Sequence, residues 1–239
     1  MIRTIIWFIY FWLYLVYLTP RLLKVKKLDK AGNIEERDKI INETAFKWAQ
    51  SHLKMAGVTI KVTGTDNVPL NEPVVFVSNH QGNFDIPILL ASIEKPKAFI
   101  AKTELANLPL ISSWMKYMHC VFIDRSDIRQ SLKVISQASD YIKEGYSMSI
   151  FPEGTRSRGK DMGEFKPGSM KLALKSQATI VPVAIRGSYK IMEENGFLIK
   201  PGLVEVVIVE PIPTKDLTKE QARDLPELVQ KIIQSELQK

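Results

Sequence analysis

Residues 74–85 constrain the fold of this chain more than any other stretch. They begin with four apolar residues, three of them valine, which is typical of a buried β-strand. A polar turn that contains Gly82 follows, and residues 86–91 form an apolar run with Pro87 near its start, as expected of a helix. A strand, a turn and a helix in this order are the repeating unit of an α/β sheet. His80 and Asp85 are therefore expected at the carboxyl end of a strand, where ligands bind in open α/β sheets.

The spacing of His80 and Asp85 suits a pair that meets across the turn. Residues five apart on a regular helix point in different directions, so the turn at Gly82 and Asn83 must bring the carboxylate back to the imidazole. A carboxylate on one ring nitrogen fixes the tautomer and leaves the other nitrogen free to act as a base. On this stretch alone, a surface histidine beside an aspartate that caps the helix fits the sequence equally well.

A second polar turn follows a short apolar strand at residues 149–151. It contains Glu153, Gly154, Arg156 and Arg158. Guanidinium groups match the geometry of a phosphate, so this turn is a candidate phosphate-binding loop.

Together the two turns resemble the glycerolipid acyltransferases, a family with an H-x4-D motif and an F-P-E-G-T-R-S motif. Here the first motif runs from His80 to Asp85 and the second covers residues 151–157. Two weaker blocks of the family, residues 122–125 and 181–187, are present in the expected order. The resemblance covers residues 73–187 and is strongest to the bacterial 1-acyl-glycerol-3-phosphate acyltransferases.

The resemblance implies transfer of a fatty acyl group from acyl carrier protein or CoA to the sn-2 hydroxyl of lysophosphatidic acid, which gives phosphatidic acid. His80 would take the hydroxyl proton and Asp85 would orient His80. Glu153 and Gly154 would contact the glycerol. Basic side chains would hold the acceptor phosphate, in order of preference Arg156, Lys102, Arg158 and Arg125. The motifs contain no Ser or Cys nucleophile, which fits direct attack without an acyl-enzyme.

Two alternatives stay open at this point. Within the same family, the acceptor could be glycerol-3-phosphate or another lysophospholipid. From a different class, the chain could be a non-catalytic peripheral lipid-binding protein. The presence of both His80 and Asp85 argues against the second alternative, because phosphate binding needs neither residue.

The composition limits the partners. A net charge of +7 suits an anionic membrane surface, an acidic carrier protein or a phosphate-bearing substrate. The charge alone would also suit nucleic acid, a partner that we do not expect from these motifs. The single Cys120 is expected to be a small core residue. We expect neither a cofactor nor a metal, since the sequence has no Walker-type loop and no Cys/His cluster.

Residues 1–56 are predicted to form a membrane-associating helical hairpin, followed by an acyltransferase domain at residues 57–239. Residues 5–18 are an unbroken apolar run rich in Trp and Tyr, which favour the lipid–water interface. The run is shorter than the ~20 residues of a spanning helix, and Pro20 and Arg21 are expected to end it. Lysines then follow that can meet anionic headgroups.

We therefore expect monotopic attachment to the cytoplasmic face of the cell membrane. A short or tilted span, a signal sequence and a buried core helix are the alternatives. The second helix of the hairpin, residues 34–56, is amphipathic, and its His52 is expected to be solvated or to pack. Short β-rich runs alternate with helical patterns along the rest of the chain. This predicts an α/β fold with a mixed, mostly parallel sheet flanked by helices.

Overall fold

The computed structural model describes residues 1–124, 127–159, 161–166 and 168–239. In these ranges seven strands form one sheet, in the order β1-β7-β6-β2-β5-β3-β4. The strands are β1 (Val58–Thr63), β2 (Val74–Ser78), β3 (Lys97–Lys102), β4 (Val121–Ile123), β5 (Ser147–Ile150), β6 (Thr179–Arg186) and β7 (Gly202–Ile208). Neighbouring strands are parallel except β6 and β7, which are antiparallel. The predicted mixed, mostly parallel sheet is confirmed.

Helices flank this sheet and precede it in the chain. They are α1 (Ile2–Tyr17), α2 (Thr19–Lys30), α3 (Ile34–Ala56), α4 (Asp85–Ser92), α5 (Ile111–Tyr117), α6 (Ile128–Lys143), α7 (Lys171–Ser176) and α8 (Lys219–Leu237). β4 ends at Ile123, and Arg125 lies outside the described residues.

The central strand β2 is buried along its whole length, which explains its unbroken apolar sequence. Each of Val74, Val75, Phe76 and Val77 is 0% exposed. Burial of one such side chain stabilises the fold by about 1.5–3 kcal/mol. The edge strand β1 alternates between half-buried and exposed residues, as its sequence predicts.

The parallel strands bring their carboxyl ends to one edge of the sheet. β2 lies between β5 and β6, so the loops that follow these three strands come together there. Lys102, the last residue of β3, lies at the same edge beyond β5. His80 lies at this edge, in the loop that follows β2.

The two N-terminal helices form a bent helical stretch, Ile2–Lys30. By length and composition alone its 29 residues could cross a membrane, a test that core helices and signal sequences also pass. The apolar helix α1 ends at Tyr17, shortly before Pro20 and Arg21 as predicted, and α2 begins directly after it. Pro20 lies in the first turn of α2, where a proline needs no N–H and its fixed φ suits the helix.

One face of α1 packs against α3 and the loop before α4. The indole N–H of Trp7 donates a hydrogen bond to the carbonyl of His52 at 3.0 Å, and the ring centroid of Trp7 lies 5.4 Å from that of Phe84. Large apolar side chains on α1 are exposed, namely Ile2, Ile5, Ile6, Phe8, Ile9, Trp12, Leu13, Val16 and Tyr17. α1 therefore joins the protein core on one side and offers an apolar surface on the other.

His52 packs within this interface and is not solvated. It is 0% exposed, its Nδ1 lies 2.7 Å from the carbonyl oxygen of Trp48, and aromatic rings of α1 surround it. Burial lowers the pKa of His52, although the Trp48 carbonyl favours the charged form. Cys120 is also buried, which raises the pKa of its thiol to about 12 and agrees with a core residue.

Candidate active site

The loop between β2 and α4 folds back so that His80 meets Asp85. Nδ1 of His80 lies 2.6 Å from Oδ2 of Asp85, and the same oxygen accepts the N–H groups of Gln81 at 2.7 Å and Gly82 at 2.9 Å. The Asp85 side chain is 0% exposed. Asp85 makes no side-chain capping bond to α4, so the alternative of a helix-capping aspartate beside an unconnected histidine is wrong.

The other oxygen of Asp85 is held by the loop after β6. Oδ1 accepts a hydrogen bond from the hydroxyl of Ser188, which is fully buried. The side-chain oxygen of Gln81 accepts the N–H groups of Gly187 at 2.9 Å and Ser188 at 3.2 Å. Both carboxylate oxygens thus have donors, which compensates for the removal of the charge from water.

Asn79 fixes the start of the same loop to β6. Its amide group donates to the carbonyl of Ile185 at 2.9 Å and accepts the N–H of Ile185 at 2.8 Å. Asn79 is 1% exposed, so this two-bond pairing replaces its contacts with water. It extends the β2–β6 ladder by a side chain at the point where β2 ends.

The loop after β5 holds the backbone of His80 from the other side. The carboxylate of Glu153 accepts the N–H of His80 at 2.6 Å and the N–H of Gly163 at 2.8 Å. The N–H of Ser157 donates to the carbonyl of His80 at 2.8 Å. Burial raises the pKa of Glu153, while the two N–H donors act in the opposite direction. The two motifs therefore form one connected site, as their resemblance to a single family implies.

The imidazole of His80 is oriented by contacts on one nitrogen and on one ring face. Its ring stacks on Phe151 with the centroids 4.1 Å apart, and its side chain is 18% exposed. Hydrogen bonds within the described residues engage Nδ1 and leave Nε2 without a protein partner. A histidine held in this way can take a proton at Nε2 while the carboxylate stabilises the resulting charge.

Arg156 lies beside this loop in contact with Asn83 and Glu193. Its Nη1 donates to the side-chain oxygen of Asn83 and to Oε1 of Glu193, the latter at 3.4 Å. The Arg156 side chain is 26% exposed. A guanidinium group therefore lies beside the His80 loop, and its contact with a phosphate stays a prediction.

The remaining predicted substrate contacts within the described residues lie at the same edge of the sheet, and all of the predicted contacts stay predictions. The N–H of Arg158 donates to the carbonyl of Gln81 at 3.1 Å, whereas the residue itself is exposed. Lys102 is exposed at the end of β3. Gly154 closes the turn after β5 with φ at 72°, a backbone conformation that favours glycine. Arg125, as noted, lies outside the described residues.

Sequence reasoning missed several residues that build the site. Asn79 and Gln81 flank His80 and could have been suspected from their place in the motif. Ser188 directly follows the block at residues 181–187, while Glu193 lies in a polar stretch with no motif. Within the described part of the chain, no group of three or more His, Cys, Asp or Glu residues is placed to hold a metal ion.

Comparisons with known proteins agree with this geometry. A family model described as Acyltransferase matches residues 59–186, more than half of the chain. A probable 1-acyl-sn-glycerol-3-phosphate acyltransferase of Mycoplasma genitalium is 37% identical over 163 residues, which are 66% of this chain and 60% of that protein. The 1-acyl-sn-glycerol-3-phosphate acyltransferase of Borreliella burgdorferi is 34% identical over 160 residues, 67% of this chain and 64% of that protein. The chain thus spans about three fifths of the length of these curated relatives.

A solved structure matches the whole fold. The crystal structure of the 1-acyl-sn-glycerophosphate (LPA) acyltransferase PlsC from Thermotoga maritima has a TM-score of 0.84 and 27% identity, covering 99% of this chain and 95% of that one. The family model and this structure both match the part of the chain that contains the two motifs. The chain belongs to the acyltransferase family.

Proposed function

We propose that this protein transfers a fatty acyl group from a thioester, acyl-ACP or acyl-CoA, to the sn-2 hydroxyl of 1-acyl-glycerol-3-phosphate and so makes phosphatidic acid. The observation that carries this proposal is the 2.6 Å contact between Nδ1 of His80 and the buried carboxylate of Asp85. The names of the relatives in the family support the choice of acceptor.

In this reaction the acceptor hydroxyl attacks the thioester carbonyl while Nε2 of His80 takes its proton. Asp85 stabilises the imidazolium that forms. The carbon–sulfur bond then breaks, and the thiolate takes the proton back from His80. The stack on Phe151 and the backbone bond to Glu153 support this role, because they limit the movement of the imidazole.

The acceptor must also be held so that its hydroxyl, rather than water, reaches the thioester. Arg156 is our first choice for the phosphate, since its guanidinium group is partly exposed beside the His80 loop. Lys102 and Arg158, both exposed, are candidates for further charge at the same edge. Glu153 and Gly154 remain the proposed contacts of the glycerol.

The N-terminal helices suit an anionic membrane surface at the cytoplasmic face. The exposed face of α1 is apolar and includes Trp12 and Tyr17, and α2 has lysines at positions 24, 26, 27 and 30. An enzyme on that surface avoids exposing the acyl chain of its substrate, which would cost about 0.8 kcal/mol for each CH₂ group brought into water.

The test is acyl transfer from a labelled thioester to 1-acyl-glycerol-3-phosphate in anionic liposomes. We compare wild type, His80→Ala and His119→Ala, the last a matched control because His119 precedes β4 at the opposite edge of the sheet. We expect phosphatidate from wild type and from His119→Ala, and none from His80→Ala. If the protein is active only with glycerol-3-phosphate or another lysolipid, the proposed acceptor is wrong. Liposome binding without transfer to any acceptor would favour a lipid-binding protein.

A further inference from the structure

A buried glutamate outside the matched family region contacts the candidate site. We infer that Glu193 is a positioning residue for acceptor binding, because it holds Arg156 and the turn at Asn83 so that one edge of the guanidinium group is free for a phosphate. This inference rests on the proposed function in assuming a phosphate-bearing acceptor. Glu193 lies in the loop between β6 and β7, beyond residues 59–186.

Glu193 makes its contacts through one carboxylate oxygen. Oε1 accepts the N–H of Asn83 at 2.7 Å and Nη1 of Arg156 at 3.4 Å. The Glu193 side chain is 1% exposed, a burial that glutamate rarely has without a charged partner. In the described part of the chain, Arg156 is the cation that contacts it.

The same carboxylate fits against Gly82 in the catalytic turn. A Cβ atom at position 82 would lie 2.3 Å from Oε2 of Glu193, so the absence of a side chain at Gly82 is what allows this approach. Oε2 is buried and has no hydrogen-bond partner among the described residues. Glu193 thus packs on one side of the turn whose N–H groups bind Asp85 on the other.

These contacts determine which donors of Arg156 remain available. Nη1 is bonded to Asn83 and Glu193, whereas Nε and Nη2 have no partner among the described residues. Nε and Nη2 form one side of the planar guanidinium group and can donate in parallel to two phosphate oxygens. An arginine that is already held loses less side-chain freedom when phosphate binds, which favours affinity.

The charge of Glu193 acts in the opposite direction, because a carboxylate near a phosphate repels it. The positioning role therefore depends on the acceptor oxygen of residue 193 and not on its negative charge. Glutamine keeps such an oxygen and removes the repulsion. Methionine keeps the length of the side chain without the oxygen, and alanine removes both.

The experiment compares wild type with Glu193→Gln, Glu193→Met and Glu193→Ala, with Glu194→Ala as the matched control at an exposed neighbour. The kinetic measurement gives kcat and KM for 1-acyl-glycerol-3-phosphate at saturating thioester. Isothermal titration with water-soluble 1-hexanoyl-glycerol-3-phosphate gives a Kd that needs no turnover. We expect Glu193→Met and Glu193→Ala to raise acceptor KM and Kd about ten-fold, with kcat and thioester KM changed less than about three-fold. Glu193→Gln and Glu194→Ala should stay within about two-fold of wild type or, for Gln, bind more tightly.

Several results would overturn the inference. One is an unchanged acceptor KM and Kd in Glu193→Met with only a lower melting temperature, which would make Glu193 purely structural. Another is an acceptor KM and Kd in Glu193→Gln that are raised as much as in Glu193→Met. If wild type binds the acceptor with this pattern of variants but transfers no acyl group, the proposed function fails and the inference stands. If wild type does not bind the acceptor, the inference fails.

Discussion

Replacement of Asp85 by asparagine should separate its charge from its hydrogen bonds. The N–H groups of Gln81 and Gly82 both point at Oδ2, so the amide oxygen of asparagine must take that position, where His80 also keeps its acceptor. The new amide N–H₂ then faces Ser188, whose hydroxyl can accept as well as donate. The arrangement of the loop is retained, and the negative charge is lost.

The charge has a large expected effect on the rate. Two unit charges about 4 Å apart interact by about 4 kcal/mol at an effective dielectric constant near 20. Since each ~1.4 kcal/mol of barrier is a factor of ten, Asp85→Asn should lower kcat by about three orders of magnitude. Asp85→Ala should lower kcat at least as much. In addition, it leaves the N–H groups of Gln81 and Gly82 unpaired, which should cost about 2–5 kcal/mol of unfolding free energy.

Initial rates of acyl transfer and urea denaturation measure the two effects separately. Asp66→Asn, at an exposed position, is the matched control and should change neither quantity. A loss of kcat smaller than ten-fold in Asp85→Asn would refute charge stabilisation of His80 by Asp85. An asparagine variant as unstable as the alanine variant would refute the claim that the backbone donors orient the amide.

Three other predictions follow from contacts in the structure. Gly82→Ala should reduce the unfolding free energy by about 1–3 kcal/mol and slow acyl transfer, because the added Cβ displaces Glu193; unchanged values in both assays would contradict the packing at this turn. Trp7→Ala should lower the unfolding free energy, measured by urea denaturation, by about 3–5 kcal/mol, whereas Trp12→Ala at an exposed position should lower it by about 0.5 kcal/mol or less. Equal losses would contradict the α1–α3 packing. Stability should fall as the pH is lowered below the ordinary His52 pKa of 6.5, because burial lowers its pKa in the folded protein and the unfolded chain binds the proton more readily. His52→Asn should make melting temperature depend less on pH over this range, and an unchanged dependence would exclude His52 as a cause.

Much of the fold follows from local patterns in the sequence. The four apolar residues at the start of β2 and the polar turn after them allow only a buried strand that ends at a loop. The direction of β7 could not be predicted in this way, because its antiparallel pairing with β6 depends on the path of the β6–β7 loop. Pro20 shows the limit of a local rule, since proline ends one helix and begins another equally well.

The site could be predicted only in part, because local patterns do not show which residues from distant parts of the chain meet. His80 and Asp85 are close in sequence, so their spacing across a glycine turn was informative. Ser188 and Glu193 reach that turn from more than a hundred residues away, and only the pairing of β2 with β6 brings them there. Glu193 lies in a stretch of polar residues that resembles an ordinary solvated loop. Its burial could not be inferred without the folded loop.

The contact between Trp7 and Phe84 has a consequence for how the protein would meet a lipid layer. Phe84 directly precedes Asp85 in the loop after β2, and Trp7 belongs to the helix whose outer face is apolar. Two aromatic rings, tilted by 49° to each other, therefore join α1 to the turn that orients His80. In the proposed attachment to a membrane surface, this contact would couple the position of α1 to that of the turn that holds His80.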